Sequence, residues 1–235
     1  MNLLRPLYEG IFGTTAHWNY HAWLMFTIWI VLIPAVLLLT RFGKPAPTLE
    51  GIPKGSAKLG RKLFWFTMHR VGLSALATAS VVGGLVAIAA NGGFSATLHS
   101  VFGIATVVLS VMQIVSAWFR GSHGVSKTVA SVTAEPPATH GDHYDMTARR
   151  RWFEAYHKTV GWVTVASALG AVTTGLSQYW VSGMGTVMAS LAVLYALIAV
   201  VLEARGYRHD TYMSNFGTGA HHPFNRQRIE EMSRQ

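Results

Sequence analysis

Five long stretches of this chain carry no charged side chain, and nothing else in the sequence limits its fold so strongly. They run from Ala22 to Thr40, from Val71 to Phe119 with a break at Asn91-Gly92-Gly93, from Thr159 to Gln178 and from Gly183 to Leu202. A bilayer core of about 30 Å is crossed by ~20 helical residues. The run from Val71 to Phe119 is too long for one crossing, and Asn-Gly-Gly is a turn signal that divides it in two. A backbone group left unbonded in lipid costs several kcal/mol, so each run is expected to be helical throughout. Pro34 is expected to kink the first helix rather than end it. The fold class is therefore an all-α integral membrane protein with five transmembrane helices, at about 19–40, 64–90, 95–119, 155–178 and 183–203. A short segment (1–18) precedes the membrane domain (19–203), the longest loop is 119–154, and a tail (204–235) follows. The composition agrees: 51% of the 235 residues are hydrophobic and 12% are charged, about half the charged fraction of a soluble domain. Cysteine is absent, which excludes disulfides, iron–sulfur clusters and thiolate metal sites.

The net charge is +9. In a soluble protein that would point to nucleic acid; here its distribution argues against a nucleic-acid partner. Arg41, Lys44, Lys54, Lys58, Arg61 and Lys62 follow the first run. Arg120, Lys127, Arg149, Arg150, Arg151 and Lys158 lie between the third and fourth. Arg205, Arg208, Arg226, Arg228 and Arg234 follow the fifth. These account for 17 of the 19 cations, and the turns near 91–98 and 178–183 hold none. By the positive-inside rule the three basic segments are expected to be cytoplasmic, with the N-terminus outside. Aromatic residues mark the two interfaces: Trp18, Tyr20, Trp23, Tyr179 and Trp180 outside; Trp65, Phe66, Trp118 and Trp152 inside. Pro6, Glu9 and Gly10 interrupt any signal-peptide core, so no cleavable leader is expected. The Ser-, Thr-, Gly- and Pro-rich stretch 121–148 and the tail from about Asn215 read as irregular.

The chain has 11 histidines. His17, His123, His140, His143, His209, His221 and His222 fall in loops, tails or interfaces. His21, His69, His99 and His157 belong to helices, where ionisable residues are expensive and usually functional. Each lies near the entry of its own helix, which gives two layers: His21 with His99 near the outer face, His69 with His157 near the inner. Each pair comes from helices of the same direction, which face one another across a four-helix bundle. Two imidazoles facing across a gap are what an axially ligated haem requires. Gly72, three residues after His69, and Gly103 and Gly161, four after His99 and His157, would leave the histidine face bare for a flat macrocycle. Gly83, Gly84, Gly170 and Gly175 thin the helices further along. The sequences around His69 and His157 are alike, which hints at an internal duplication. Alternatives stay open at this point. Any one of the histidines could be a hydrogen-bonded packing residue. A zinc site would need three or four ligands at one depth, and a proton relay would usually add Asp or Glu within the spans. His140 and His143, beside Asp142, have metal-like spacing but read more simply as solvated.

The first span runs His21-Ala-Trp-Leu-Met-Phe-Thr-Ile-Trp-Ile-Val-Leu-Ile-Pro34 and ends in Leu-Leu-Leu-Thr-Arg41-Phe-Gly-Lys44. Together with Leu98-His99-Ser100 and Gly103-Ile104-Ala105, and Tyr156-His157-Lys158 and Gly161, it resembles the cytochrome b561 family. The likeness extends over about residues 17–203 and is greatest to the b561 module that elsewhere follows an extracellular DOMON domain. It implies a four-helix core with two haem b groups, the outer on His21 and His99 and the inner on His69 and His157. Ala22 stands where the family has Gly, no DOMON domain is expected, and the basic ascorbate-binding motif of the animal and plant enzymes is not seen. The expected function is transmembrane electron transfer between a quinol, ascorbate-like or protein donor and an acceptor. A ferric or other terminal reductase on the same core is the alternative, and a non-redox anchor or channel subunit a third. Whether the protein is an enzyme is left open between electron-transfer cytochrome and membrane oxidoreductase. Arg70, Lys158 and Arg41 are candidate partners for haem propionates on the inner side, or simple interface anchors; His17, Asn19 and Tyr20 could serve on the outer side. Expected partners are membrane lipid and a redox protein or quinone, within a larger complex or a homodimer. The expected location is a bacterial inner (plasma) membrane, as a multi-pass protein.

Overall fold

The computed structural model describes residues 18–51, 63–120, 148–178 and 183–220, with a few isolated positions elsewhere. His17, His123, His140, His143, His221, His222, Lys54, Lys58, Arg61, Lys62, Lys127, Tyr179, Trp180, Arg226 and Arg228 lie outside the described residues, as do the side chains of Trp18 and Asn19. The described residues form helices and turns, with no strand among them. Five helices are long and apolar enough to cross a membrane. Helix α1 consists of Trp18–Phe26, a π-helical turn Thr27–Leu32, and Ile33–Phe42. Helix α2 consists of Phe64–Thr67, a second π turn Met68–Gly72, and Leu73–Ala90. Then come α3, Leu98–Trp118; α4, Ala148–Gln178; α5, Met184–Ala204; and a short α6, Thr211–Phe216.

The local chemistry explains these boundaries. Pro34 brings no N–H to the ladder, and the chain meets it with the π turn just before it rather than by ending the helix. The Asn91-Gly92-Gly93 break is a turn: both glycines have positive φ, 74° and 134°, and the Asn91 amide donates to the Gly93 carbonyl at 2.9 Å. Thr97 caps α3 by accepting from the Ser100 N–H at 3.3 Å. Helix α4 starts at Ala148, earlier than the apolar run suggests. Its added turns are charged: Glu154 joins Arg150 and Lys158, each at 3.2 Å and each four residues away, while Trp152 stacks on Tyr156 at 5.1 Å. Such i,i+4 pairs support a helix without any apolar stripe.

The helices alternate in direction, and their basic ends coincide. The Arg41 guanidinium meets Glu203 at 3.0 Å, and Arg208 meets the other oxygen of that carboxylate at 3.0 Å. The Lys44 ammonium sits 5.7 Å over the Trp65 ring. Arg149 donates to the Phe119 carbonyl at 2.9 Å. The ends of α1, α3 and α5 therefore share one face of the bundle with the starts of α2 and α4, here termed the basic end.

The core lies mostly against α1. Ile28, Trp29 and Ile33 pack with Ala168 of α4, and Met25, Leu37, Leu73, Leu76, Ala79 and Val172 surround them. Helix α5 has no buried residue. It is held to α1 by the Tyr195 hydroxyl, which donates to the Val31 carbonyl inside the π turn at 2.7 Å, and by Glu203. Polar side chains from a neighbouring helix are one means of satisfying backbone groups disturbed by proline in lipid.

The tail begins with a docked segment ahead of the stretch from about Asn215 expected to be irregular; of that stretch, 218–220 are bend and turn, and most of 221–235 lies outside the described residues. Asp210 caps α6 by accepting from Tyr212 N and Met213 N at 2.9 and 3.0 Å. The chain then pairs with the segment after α1: Thr218 N donates to Thr48 O at 3.0 Å and Gly219 N to Leu49 O at 2.9 Å. Lys44 donates to the His209 carbonyl at 3.2 Å. Tyr212 and Ser214 are each only 2% exposed. Composition missed this because the order comes from a distant partner segment.

Candidate functional site

The four helical histidines form two couples. The rings of His21 and His99 have centroids 6.1 Å apart with planes at 86°. Those of His69 and His157 are 5.9 Å apart at 77°. The pairing is between helices of the same direction, α1 with α3 and α2 with α4.

Side-chain to backbone contacts fix how far apart the couples lie. The His21 ring meets the backbone of Gly83, fourteen residues after His69 on α2. His99 Nδ1 lies 2.8 Å from the Ala171 carbonyl, fourteen residues after His157 on α4. Gln113, fourteen residues after His99 on α3, donates from Nε2 to the His157 carbonyl at 3.0 Å. Three helices thus give the same register, and fourteen residues at 1.5 Å each is about 21 Å. Fourteen is also two heptads, so a helix presents nearly the same face at both levels, with a drift of only ~40°.

The environment of each ring bears on its chemistry. His99 Nδ1 can only donate to the Ala171 carbonyl, so in the neutral ring Nε2 is the nitrogen left to ligate. A second-nitrogen bond to a backbone carbonyl is the usual way a ligating imidazole is oriented. A Cβ on Gly175 would stand 2.9 Å from His99 Nδ1 and 3.0 Å from its Cε1, so the ring is clamped on α4 between this glycine and Ala171. His157 is stacked by Phe153, four residues earlier, at 5.3 Å and 23°. Phe153 in turn lies under the Arg150 guanidinium at 5.5 Å. The Nδ1 atoms of His69 and His157 are buried with no hydrogen-bond partner among the described residues.

These features allow a test of whether the residues fit a haem. Iron bonded to one nitrogen of each imidazole at about 2 Å, with each ring centre ~1.1 Å behind that nitrogen, puts the centroids about 6 Å apart. Both couples meet that spacing. The glycines expected to bare the histidine face differ among themselves. A Cβ on Gly103 would meet nothing within 4 Å, and one on Gly161 only Gln113 Nε2 at 3.7 Å; both open onto space. Beside Gly72 the methyl of Met68 comes within 3.0 Å of that position. Gly83, Gly84 and Gly170 are close-approach glycines instead, with Leu24, Val107 and Phe102 at 2.9, 2.9 and 3.0 Å. The donor set, its spacing and two of the three open glycines fit the group.

The expected propionate partners have the following contacts. Lys158 is bonded to Glu154 and its side chain is 72% exposed. Arg70 lies over Phe66 at 5.9 Å, and Arg41 is occupied by Glu203. Tyr20 is exposed. Arg150 approaches the inner couple as well, through Phe153. Its signal was there in the i,i+3 and i,i+4 spacing from Arg150 to Phe153 and on to His157. Gln113 and Ala171 carried no such signal, because nothing local shows which residue of one helix faces the histidine of another. Among the described residues, no group of three or more His, Cys, Asp or Glu converges. No family model, curated protein or solved structure matches the chain.

Proposed function

We propose that this chain carries electrons across a membrane by way of two b-type haems, one held by His21 and His99 and the other by His69 and His157. The observation that carries the reading is the pair of couples near 6 Å, set two heptads apart on three helices. Haem, when bound, supplies a one-electron ferric–ferrous couple whose potential follows from ligand, burial and hydrogen bonding. The chain's own residues hold and shield. Ala171 and Gly175 set the plane and tautomer of His99, Phe153 covers one face of His157, and the apolar core around Ile28, Ile33 and Leu76 keeps water out of the interval. The concentration of cations at one end supports an orientation with that end cytoplasmic and the N-terminus outside, in a bacterial inner membrane. A full crossing of one electron then couples to the membrane potential at ~2.3 kcal/mol per 100 mV. A quinone or a redox protein is the proposed partner.

The test is haem quantification and a reduced-minus-oxidised spectrum of the purified protein. Two low-spin b-type haems per chain are expected, with His99→Ala and His157→Ala each removing one. A colourless protein, or a signal that survives both substitutions together, would overturn the reading. Turnover with quinol against ferric chelate then separates an electron carrier from a terminal reductase.

A further inference from the structure

The interval between the two couples is filled mainly by aliphatic side chains, with the rings of Phe26 and Trp29 and the hydroxyls of Ser80, Thr106, Ser110 and Thr164 buried among them. In the core cluster of Ile28, Ile33, Ala168, Met25, Leu37, Leu73, Leu76, Ala79 and Val172, Trp29 is the one aromatic ring. It is 7% exposed. Its indole N–H donates to the Ser80 hydroxyl at 2.9 Å, and that hydroxyl lies 3.6 Å from the Met25 sulfur. Ser80 is itself 1% exposed. The level of this chain of contacts follows from the register. Ser80 lies three residues before Gly83, which meets His21, and eleven residues after His69. The indole N–H, at Ser80, is therefore about 5 Å inward of the outer couple and ~16 Å from the inner one, while the backbone of Trp29, eight residues after His21, is about 12 Å inward, so the side chain spans much of the interval. A tryptophan here is not demanded by packing alone, since its N–H needs a polar partner in lipid-depth protein, and Ser80 provides it.

We propose that Trp29, held by Ser80, is the bridging residue of this interval, the side chain through which electronic coupling between the two couples runs. The inference rests on the haem reading given above. A π system offers orbitals closer in energy to the tunnelling electron than σ-bonded methylenes do. The bonded path from α1 through the indole to Ser80 also replaces a through-space jump between helices. One electron leaves the iron of one couple and arrives at the iron of the other. Trp29 is neither oxidised nor reduced, and its proton stays on Nε1. Two other large rings lie near this level: Phe26, 6% exposed on the same helix but without an N–H to bond across to α2, and Phe102, which packs against Gly170 but is 37% exposed at the surface of the bundle, which makes it a control.

The experiment uses the full chain in proteoliposomes, with one haem photoreduced from one face and the second followed by its own absorbance. Haem content, low-spin spectra and both midpoint potentials are measured alongside. Trp29→Leu is expected to slow equilibration by about tenfold or more, which is ~1.4 kcal/mol of activation free energy, with haem content and potentials unchanged. Trp29→Phe is expected to fall between, and Ser80→Ala to slow transfer less than Trp29→Leu. Phe102→Leu should match the parent. Should Trp29→Leu fail to fold, Trp29→Phe and Ser80→Ala carry the test. A Trp29→Leu rate within twofold of the parent, a slowing explained by a shifted potential, or an equal effect of Phe102→Leu would overturn the bridge while leaving the haem reading intact. A parent protein without haem would overturn both.

Discussion

His99 is the most tightly defined of the four histidines. Its Nδ1 is committed to the Ala171 carbonyl at 2.8 Å, and Gly175 leaves its ring the space it occupies. Gly175→Ala would place a methyl 2.9 Å from Nδ1, and the ring, pinned on one side, must turn. Overpacking of this kind costs about 1–3 kcal/mol. On the proposed two-haem function, the expected result is a changed low-spin electron paramagnetic resonance signal for one haem and an unchanged signal for the other; two unaltered signals would count against the clamp. Residues like Gly175 show where sequence reasoning stops. The histidines themselves were legible because each is a costly polar group at a definable depth in its own helix. Gly175, Ala171 and Gln113 matter only through the register of one helix against another, and no periodicity within a helix encodes that. Trp29 was equally silent, since an indole in an apolar run reads as core until its Ser80 partner is seen.

Among the elements, the five apolar runs and the turn at Asn91-Gly92-Gly93 were readable because lipid allows the backbone no other solution. The charged first turns of α4 and the docked tail were not, since both are held by pairs rather than by apolar length. Helix α5 is attached to α1 by few contacts, so single bonds should count. Tyr195→Phe removes the hydroxyl that reaches Val31 O, and a loss of about 1 kcal/mol is expected, read as a lowered melting temperature in detergent with haem content unchanged. In the tail, Gly217 has φ 82°, and a Cβ there would collide with the Leu49 carbonyl. Gly217→Ala combines a left-handed strain with that collision. It should release α6 from the 48–51 segment, seen as faster amide exchange across 211–219 with no change in the five long helices.

At the scale of the whole molecule, the bundle has one cationic end and one nearly without cations, with a histidine couple near each. The chain has no cysteine, so single cysteines can report on topology directly. Ser95→Cys, in the turn between α2 and α3, is expected to react with a membrane-impermeant thiol reagent added to the outside of intact cells. Lys158→Cys, at the basic end, is expected to react only after the membrane is opened; the reverse pattern would invert the proposed orientation.

The π turn at Thr27–Leu32 has a bearing on all three scales. It inserts one residue into a turn of α1, and each helical residue is worth about 100° of rotation. Ahead of the insertion, α1 aims His21 across the bundle; beyond it, the same helix aims Arg41 sideways at Glu203. The extra residue acts as a phase shifter, letting one rod satisfy two azimuths that an unbroken α-helix could not meet together. Were Thr27–Leu32 to relax to plain α geometry with all its residues kept, His21 would stay aligned and the Arg41 guanidinium would swing about a quarter-turn away from Glu203; removing one residue there would restore the α ladder with both azimuths kept, at the cost of a core side chain such as Ile28 or Trp29.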